Sequence, residues 1–182
     1  MAIADILKKL LLGRAFSAEE GRIVLFNTLE VSMIESKSLV FFLQKVFEKL
    51  GDKTAYEILK KSVEITMLTF KNTLKINFSK LLINPKNWLG FMDFYGWGKF
   101  ELLNVSTQKN IEKYSIKVSN SPFTQYAKQT FGKNSKVCKL IEANLEVSFK
   151  ILNEKAKSIK VEEKACYTKG SPYCIFDVVI EK

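Results

Sequence analysis

Four side chains in the C-terminal half carry most of the chemistry that this chain can offer. Cys166 and Cys174 flank the turn Lys169-Gly170-Ser171-Pro172, so a hairpin closing there brings two sulfurs together. Glu163 precedes the first of these cysteines by three residues, and Cys138 lies upstream on the apolar side of an expected helix. Three thiolates and one carboxylate are four anionic donors of kinds that zinc accepts in a tetrahedron. An ion filling all four positions would be structural, since no position is left for substrate. Its net charge would be −2, which Lys136, Lys139, Lys164 and Lys169 stand near enough in sequence to offset.

The residues alone leave three readings open: buried structural thiols, a metal site, or a redox-active pair Cys166–Cys174. The seven residues between those two cysteines exceed the short spacing of common zinc knuckles. In a regular strand, moreover, Glu163 and Cys166 point to opposite faces. Both reach one ion only if the strand ends or bulges between them.

Composition narrows the chemistry further. None of the 182 residues is histidine. Ser-His-Asp and Cys-His catalysis, His-containing zinc sites and histidine pH switches are therefore excluded. No phosphate-cradling glycine loop, dinucleotide fingerprint or nucleophile elbow is present, so no nucleotide cofactor is expected and no catalytic residue is assigned. The net charge of +10 rests on lysines spread along the chain, with Arg14 and Arg22 the only arginines. That pattern describes a solvated surface rather than a nucleic-acid patch. An odd three cysteines without an export signal lead to an expectation of reduced thiols in the cytoplasm.

These residues need elements to position them. Apolar spacing predicts a short amphipathic helix over residues 3–11, docked on its own domain or touching a membrane surface peripherally. An extended stretch follows at Arg22–Phe26. Two core helices are predicted over Ser38–Leu50 and Thr54–Leu74, with Ile58 and Ile65 widening the face of the second. Pro85 starts another short helix. Strands are predicted over residues 96–105 and around Tyr114–Val118, then helices from Pro122 to Phe131 and from Val137 to Leu152. The chain closes on two strands, Ile159–Val161 and Cys174–Ile180. The sequence therefore predicts one α+β domain over residues 1–182, mainly helical to residue 92 and sheet with helices and the cysteine motif from 93 onward. The strands are expected to pair as an antiparallel sheet. The aromatic residues Phe41, Phe42, Phe91, Phe94, Tyr95 and Trp97 are candidates to line an apolar pocket, or else belong to the core or a dimer interface.

The C-terminal motif, Glu-x-x-Cys, a Gly-centred turn, then Cys-x-Phe, resembles the signature of the 4-vinyl-reductase domain family. Asn120-Ser121-Pro122, Val137-Cys138-Lys139-Leu140, Gly96-Trp97-Gly98 and Gly21-Arg22-Ile23-Val24-Leu25 extend the likeness upstream. The resemblance implies an α+β ligand-binding domain, with helices packed on one side of a twisted antiparallel sheet of about four strands, related to TRAPP core subunits, to haem-NO-binding domains and to the sensor domains of phenol-responsive activators. In such sensors the equivalent cysteines and glutamate hold zinc beside an aromatic-ligand pocket. This implies the ligand set Cys138, Glu163, Cys166 and Cys174. Haem is disfavoured, because those relatives use a proximal histidine. Where the family usually has glycines, this chain has Glu142-Ala143-Asn144 and Lys61-Ser62-Val63, side chains large enough to reshape a cavity. The expected function is a zinc-stabilised binding or sensing module for a hydrophobic small molecule, as a homodimer. The alternatives are a TRAPP-like scaffold acting through a protein partner or membrane, and a thiol-redox regulator or vinyl reductase.

Overall fold

The computed structural model describes residues 16–19, 22–25, 29–31, 34–73 and 85–182. The helix expected over residues 3–11 lies outside the described residues. Three short strands come first: β1 (Phe16–Glu19), β2 (Arg22–Leu25) and β3 (Leu29–Val31), paired antiparallel in that order. The sequence pattern offers only one extended stretch here, because strands this short display too little alternation to register.

Two helices follow, α1 (Ser36–Leu50) and α2 (Asp52–Thr73). Helix α1 buries Val40, Leu43, Gln44 and Phe47, the three-and-four spacing of a single helical face. It stops at Gly51, whose φ of 77° suits a residue without a side chain and whose N–H donates to Phe47 O. Helix α2 restarts at once and buries Ala55, Leu59, Val63 and Met67, a row advancing by four residues. Ile58 and Ile65, expected to widen this face, are exposed instead. At about 100° per residue Ile65 lies nearly opposite the buried row, and Ile58 lies on its flank.

Helix α3 (Pro85–Phe94) opens on proline, where the missing N–H would have had no intrahelical partner. The turn after it is tied to strand β4 (Lys99–Gln108) by Phe100 N, which donates to Asp93 Oδ1 at 2.6 Å. Gly98, at φ 134°, is required in this turn: a Cβ there would stand 2.9 Å from Ser119 O. Strand β5 (Ile111–Ser119), helices α4 (Pro122–Phe131) and α5 (Cys138–Leu152), and strands β6 (Ser158–Ala165) and β7 (Cys174–Glu181) complete the chain. The larger sheet is antiparallel throughout, in the order β4-β5-β7-β6. Ile116, Val118, Phe176, Val178 and Ile180 alternate onto its inner face and join Phe123, Ala127, Ile141 and Leu145 of α4 and α5 in one core. The result is the expected α+β fold with an open four-stranded antiparallel sheet.

Helix α5 divides the interior. Cys138, Ile141, Leu145 and Phe149 face the sheet core, whereas Leu140 and Ala143 join Leu43, Phe47, Ala55 and Leu59 in a second cluster under α1 and α2. Ile141, Leu145 and Phe149 are fully buried. Each such side chain contributes about 1.5–3 kcal/mol by leaving water, which anchors α5 as the central strut. No helix among the described residues is long and apolar enough to cross a membrane.

Candidate functional site

The three cysteines converge from separate elements. Cys138 is the first residue of α5, Cys166 follows the last residue of β6, and Cys174 is the first residue of β7. Cys138 Sγ lies 3.4 Å from Cys166 Sγ and 3.7 Å from Cys174 Sγ. With one Glu163 carboxylate oxygen, the four donor atoms all fall within 4.8 Å of one another. Such a group could hold a metal ion.

Glu163 reaches the sulfurs through an irregularity in β6. The register with β7 runs Glu163↔Phe176 and then Ala165↔Ile175, so Lys164 is bulged out. The strand ends at Ala165, and both conditions for putting Glu163 and Cys166 on one side are met. Beyond Cys166 a single 3-10 turn, Tyr167–Lys169, reverses the chain. Its Lys169 N–H and the Ser171 N–H both donate to Cys166 O, at 3.1 Å each. Gly170 completes the reversal at φ 110°.

Polar groups surround the sulfurs. Tyr167 N–H donates to Cys174 Sγ at 3.3 Å, and Thr168 Oγ1 stands 3.1 Å from Cys166 Sγ. Glu163 Oε2 accepts from Lys169 Nζ at 3.2 Å. Its other oxygen, Oε1, is buried and accepts no hydrogen bond among the described residues. A buried carboxylate oxygen left in this way is costly, and a cation among the sulfurs would remove the cost. The donor set fits zinc.

Without a cation the thiols cannot ionise together. Contacts with Cys166 and Cys174, followed by burial, push the Cys138 thiol far up. Hydrogen bonds from Cys138 and Cys174 pull Cys166 down against its burial. Cys138 also lowers Cys174, but Cys166 and burial outweigh it and leave Cys174 pushed up to about 12. The shifts thus run in opposite directions within the cluster, Cys166 down and Cys138 and Cys174 up, and burial raises the Glu163 carboxyl above its ordinary range. A divalent cation would let all four ionise.

Of the lysines expected to balance that charge, Lys169 contacts Glu163 directly. Lys136 pairs with Asp52 and Lys139 with Glu142, both on the wall of a cleft of about 270 Å³ that reaches Cys138 and Glu163. Lys164 is turned away and pairs with Glu162.

A second concavity, of about 310 Å³, lies on the other side of α5. Leu43, Val46 and Phe47 of α1, Leu59 and Val63 of α2, and Leu140 and Asn144 of α5 contribute to its walls. Phe42 and Trp97 line this groove too. Phe41 does not; it is exposed and packs its ring 6.2 Å from that of Phe131. Tyr95 packs against the sheet core. Phe91 and Phe94 belong to α3, and their side chains lie outside the described residues. Thr168 and the α2 wall of the groove were not singled out from the sequence. A hydroxyl two residues after a cysteine was the signal for the first; for the second it was the 55-59-63 row.

No family model matches this sequence, and no curated protein does. Solved structures do. The phenol-responsive sensory domain of the transcription activator PoxR, determined with phenol, superposes with a TM-score of 0.74 at 15% identity, covering 100% of this chain and 91% of that one. A TRAPP complex subunit 3 from Naegleria fowleri, covalently bound to palmitic acid, gives 0.57 at 14% identity over 81% and 95% of the two chains. A vinyl-4-reductase family protein from Methanocaldococcus jannaschii gives 0.53 at 17% identity over 84% and 85%. They are the 4-vinyl-reductase family that the cysteine motif resembles and two groups that the resemblance implied as its relatives, and the chain has the fold that these phenol-sensor, TRAPP-subunit and vinyl-4-reductase domains share.

Proposed function

We propose that the chain is a non-catalytic binding or sensing module whose Cys138, Glu163, Cys166 and Cys174 hold zinc and whose ligand is an apolar or aromatic small molecule. The observation that carries this reading is the double role of α5. Its first two turns give Cys138 to the thiol cluster and Leu140 and Asn144 to the apolar groove. Zinc bound by four protein donors has no open position, so its part is to fix the start of α5 against the β6–β7 turn. The groove's volume, about 310 Å³, is at the small end of ligand sites and suits a single ring. Its few polar side chains, Ser62, Thr66 and Asn144, would orient such a ligand. The same fold is seen with phenol in one protein and with palmitic acid in another. Three free thiols fit a reducing compartment, the cytoplasm.

Titration calorimetry of the zinc-loaded chain with phenol, and separately with palmitate, tests the reading. Saturable binding of either, lost in Leu140→Trp while zinc content stays at one per chain, is the expected result. No binding of either compound would count against it.

One observation favours a second reading. Phe41, Phe42, Ile58 and Ile65 are all more than half exposed on α1 and α2. A second copy of the chain, or a protein partner as for a scaffold subunit, would cover them. Sedimentation equilibrium of the wild type and of Phe42→Glu decides this: a dimer that the substitution dissociates supports it, and a wild-type monomer does not.

A further inference from the structure

The three sulfurs are not equivalent. Cys138 is the one cysteine of the three that lines the cleft of about 270 Å³, so a small solute entering there approaches the cluster from the side of Cys138. Cys174 is fully buried and fixed in the ladder opposite Val118, with Tyr167 N–H on its sulfur. Cys166 lies past the last β6 residue, outside the ladder, at the start of a single 3-10 turn. It also has the shorter approach to Cys138, 3.4 Å against 3.7 Å for Cys174.

We propose that Cys138 and Cys166 are an oxidisable pair, converted by a small hydroperoxide to a disulfide that strips the cluster of two of its four donors. In the zinc-loaded chain all four donors would be ionised, and the Cys138 thiolate, the sulfur on the cleft side, attacks the O–O bond of hydrogen peroxide. An S–O bond forms, the O–O bond breaks, and one water leaves with Cys138 as the sulfenic acid. Cys166 then attacks that sulfur. The S–S bond forms, the S–O bond breaks, and the hydroxide departs with a proton as the second water. Two thiolates, one peroxide and two protons from solvent thus become one disulfide and two waters, a two-electron oxidation that a dithiol reverses. Cys174 and Glu163 are left as two donors, too few for a tetrahedral ion. This differs from the pairing of Cys166 with Cys174 suggested by their positions around the hairpin turn. The metal-release half rests on the zinc reading above; the pairing does not.

The test treats the zinc-loaded chain with hydrogen peroxide, follows released zinc with a chromogenic chelator, and maps the linkage by non-reducing peptide mass spectrometry. The expected result is one zinc released per Cys138–Cys166 disulfide, reversed by dithiothreitol and added zinc. Cys174→Ser should form the same disulfide, since the pair is intact in it. Retention of zinc with all thiols reduced, a Cys166–Cys174 linkage, or overoxidation without any linkage would overturn the proposal. If the purified chain binds no zinc, mapping on the metal-free chain still decides the pairing, and only the metal reading fails.

Discussion

The two sides of α5 show two ways of building a site. Facing the sheet, four donor atoms are placed within 4.8 Å by the backbone: a helix start, a strand bulge, a 3-10 turn and a ladder position. Facing α1 and α2, the groove is walled by side chains from three helices and one turn residue. Backbone-set geometry fixes what kind of ion fits, because donor number and type are specified. Side-chain-set geometry fixes only shape and polarity, so it specifies a ligand class rather than a compound.

Breaking the donor side should have the largest effect. Cys174→Ser should abolish zinc binding and cost about 4 kcal/mol, on the order of 10 °C in Tm for a domain of this size. Calorimetric scans with and without chelator check this; a wild type indifferent to chelation would erase the distinction between the two sides. Breaking the groove side comes next. Phe47, buried at its base, should cost about 3 kcal/mol on replacement by alanine, with zinc content unchanged. Denaturant unfolding paired with metal analysis separates the two outcomes.

Glu163→Gln keeps the shape but removes the charge. It should weaken zinc about 100-fold, the upper range of what even outer-shell partners of a metal contribute. Competition against a chelator of known affinity reads it.

Acidity sharpens the comparison through its sign. In the zinc-free chain burial raises the Glu163 pKa, so its contribution to stability is full below about pH 4.3 and is lost as pH rises through the folded value. In the zinc-bound chain the sign reverses, because acid protonates the donors and releases the ion. Stability curves with and without zinc should therefore diverge as pH rises, and those of Glu163→Gln should diverge less. Parallel curves would contradict this. The smallest effect is expected for Phe42→Ala, within about 0.5 kcal/mol, because the ring is mostly exposed.

Much of the donor side could be read from the sequence, since cysteines around a Gly-Ser-Pro turn declare their proximity. The obstacle to including Glu163 was the period of a regular strand. Its resolution, the bulge at Lys164, leaves no compositional mark. Helices α1 and α5 announced themselves by spacing, but α5 is buried on nearly every side, so its division of two cores had to be seen. The groove was hardest. Aromatic residues alone suggested Phe41, Phe42, Phe91, Phe94, Tyr95 and Trp97; Phe42 and Trp97 line it, Phe41 and Tyr95 do not, and the side chains of Phe91 and Phe94 lie outside the described residues. Which aromatic residues face a cavity depends on how three helices cross, and no local pattern encodes that. The short β1–β3 sheet was illegible for a simpler reason: three or four residues hold too little period.

X-ray absorption at the zinc edge of the purified chain tests the central claim most directly. The account predicts one zinc per chain with three sulfurs at about 2.3 Å and one oxygen at about 2.0–2.2 Å. An absent edge, or a shell of light atoms without sulfur, would contradict it.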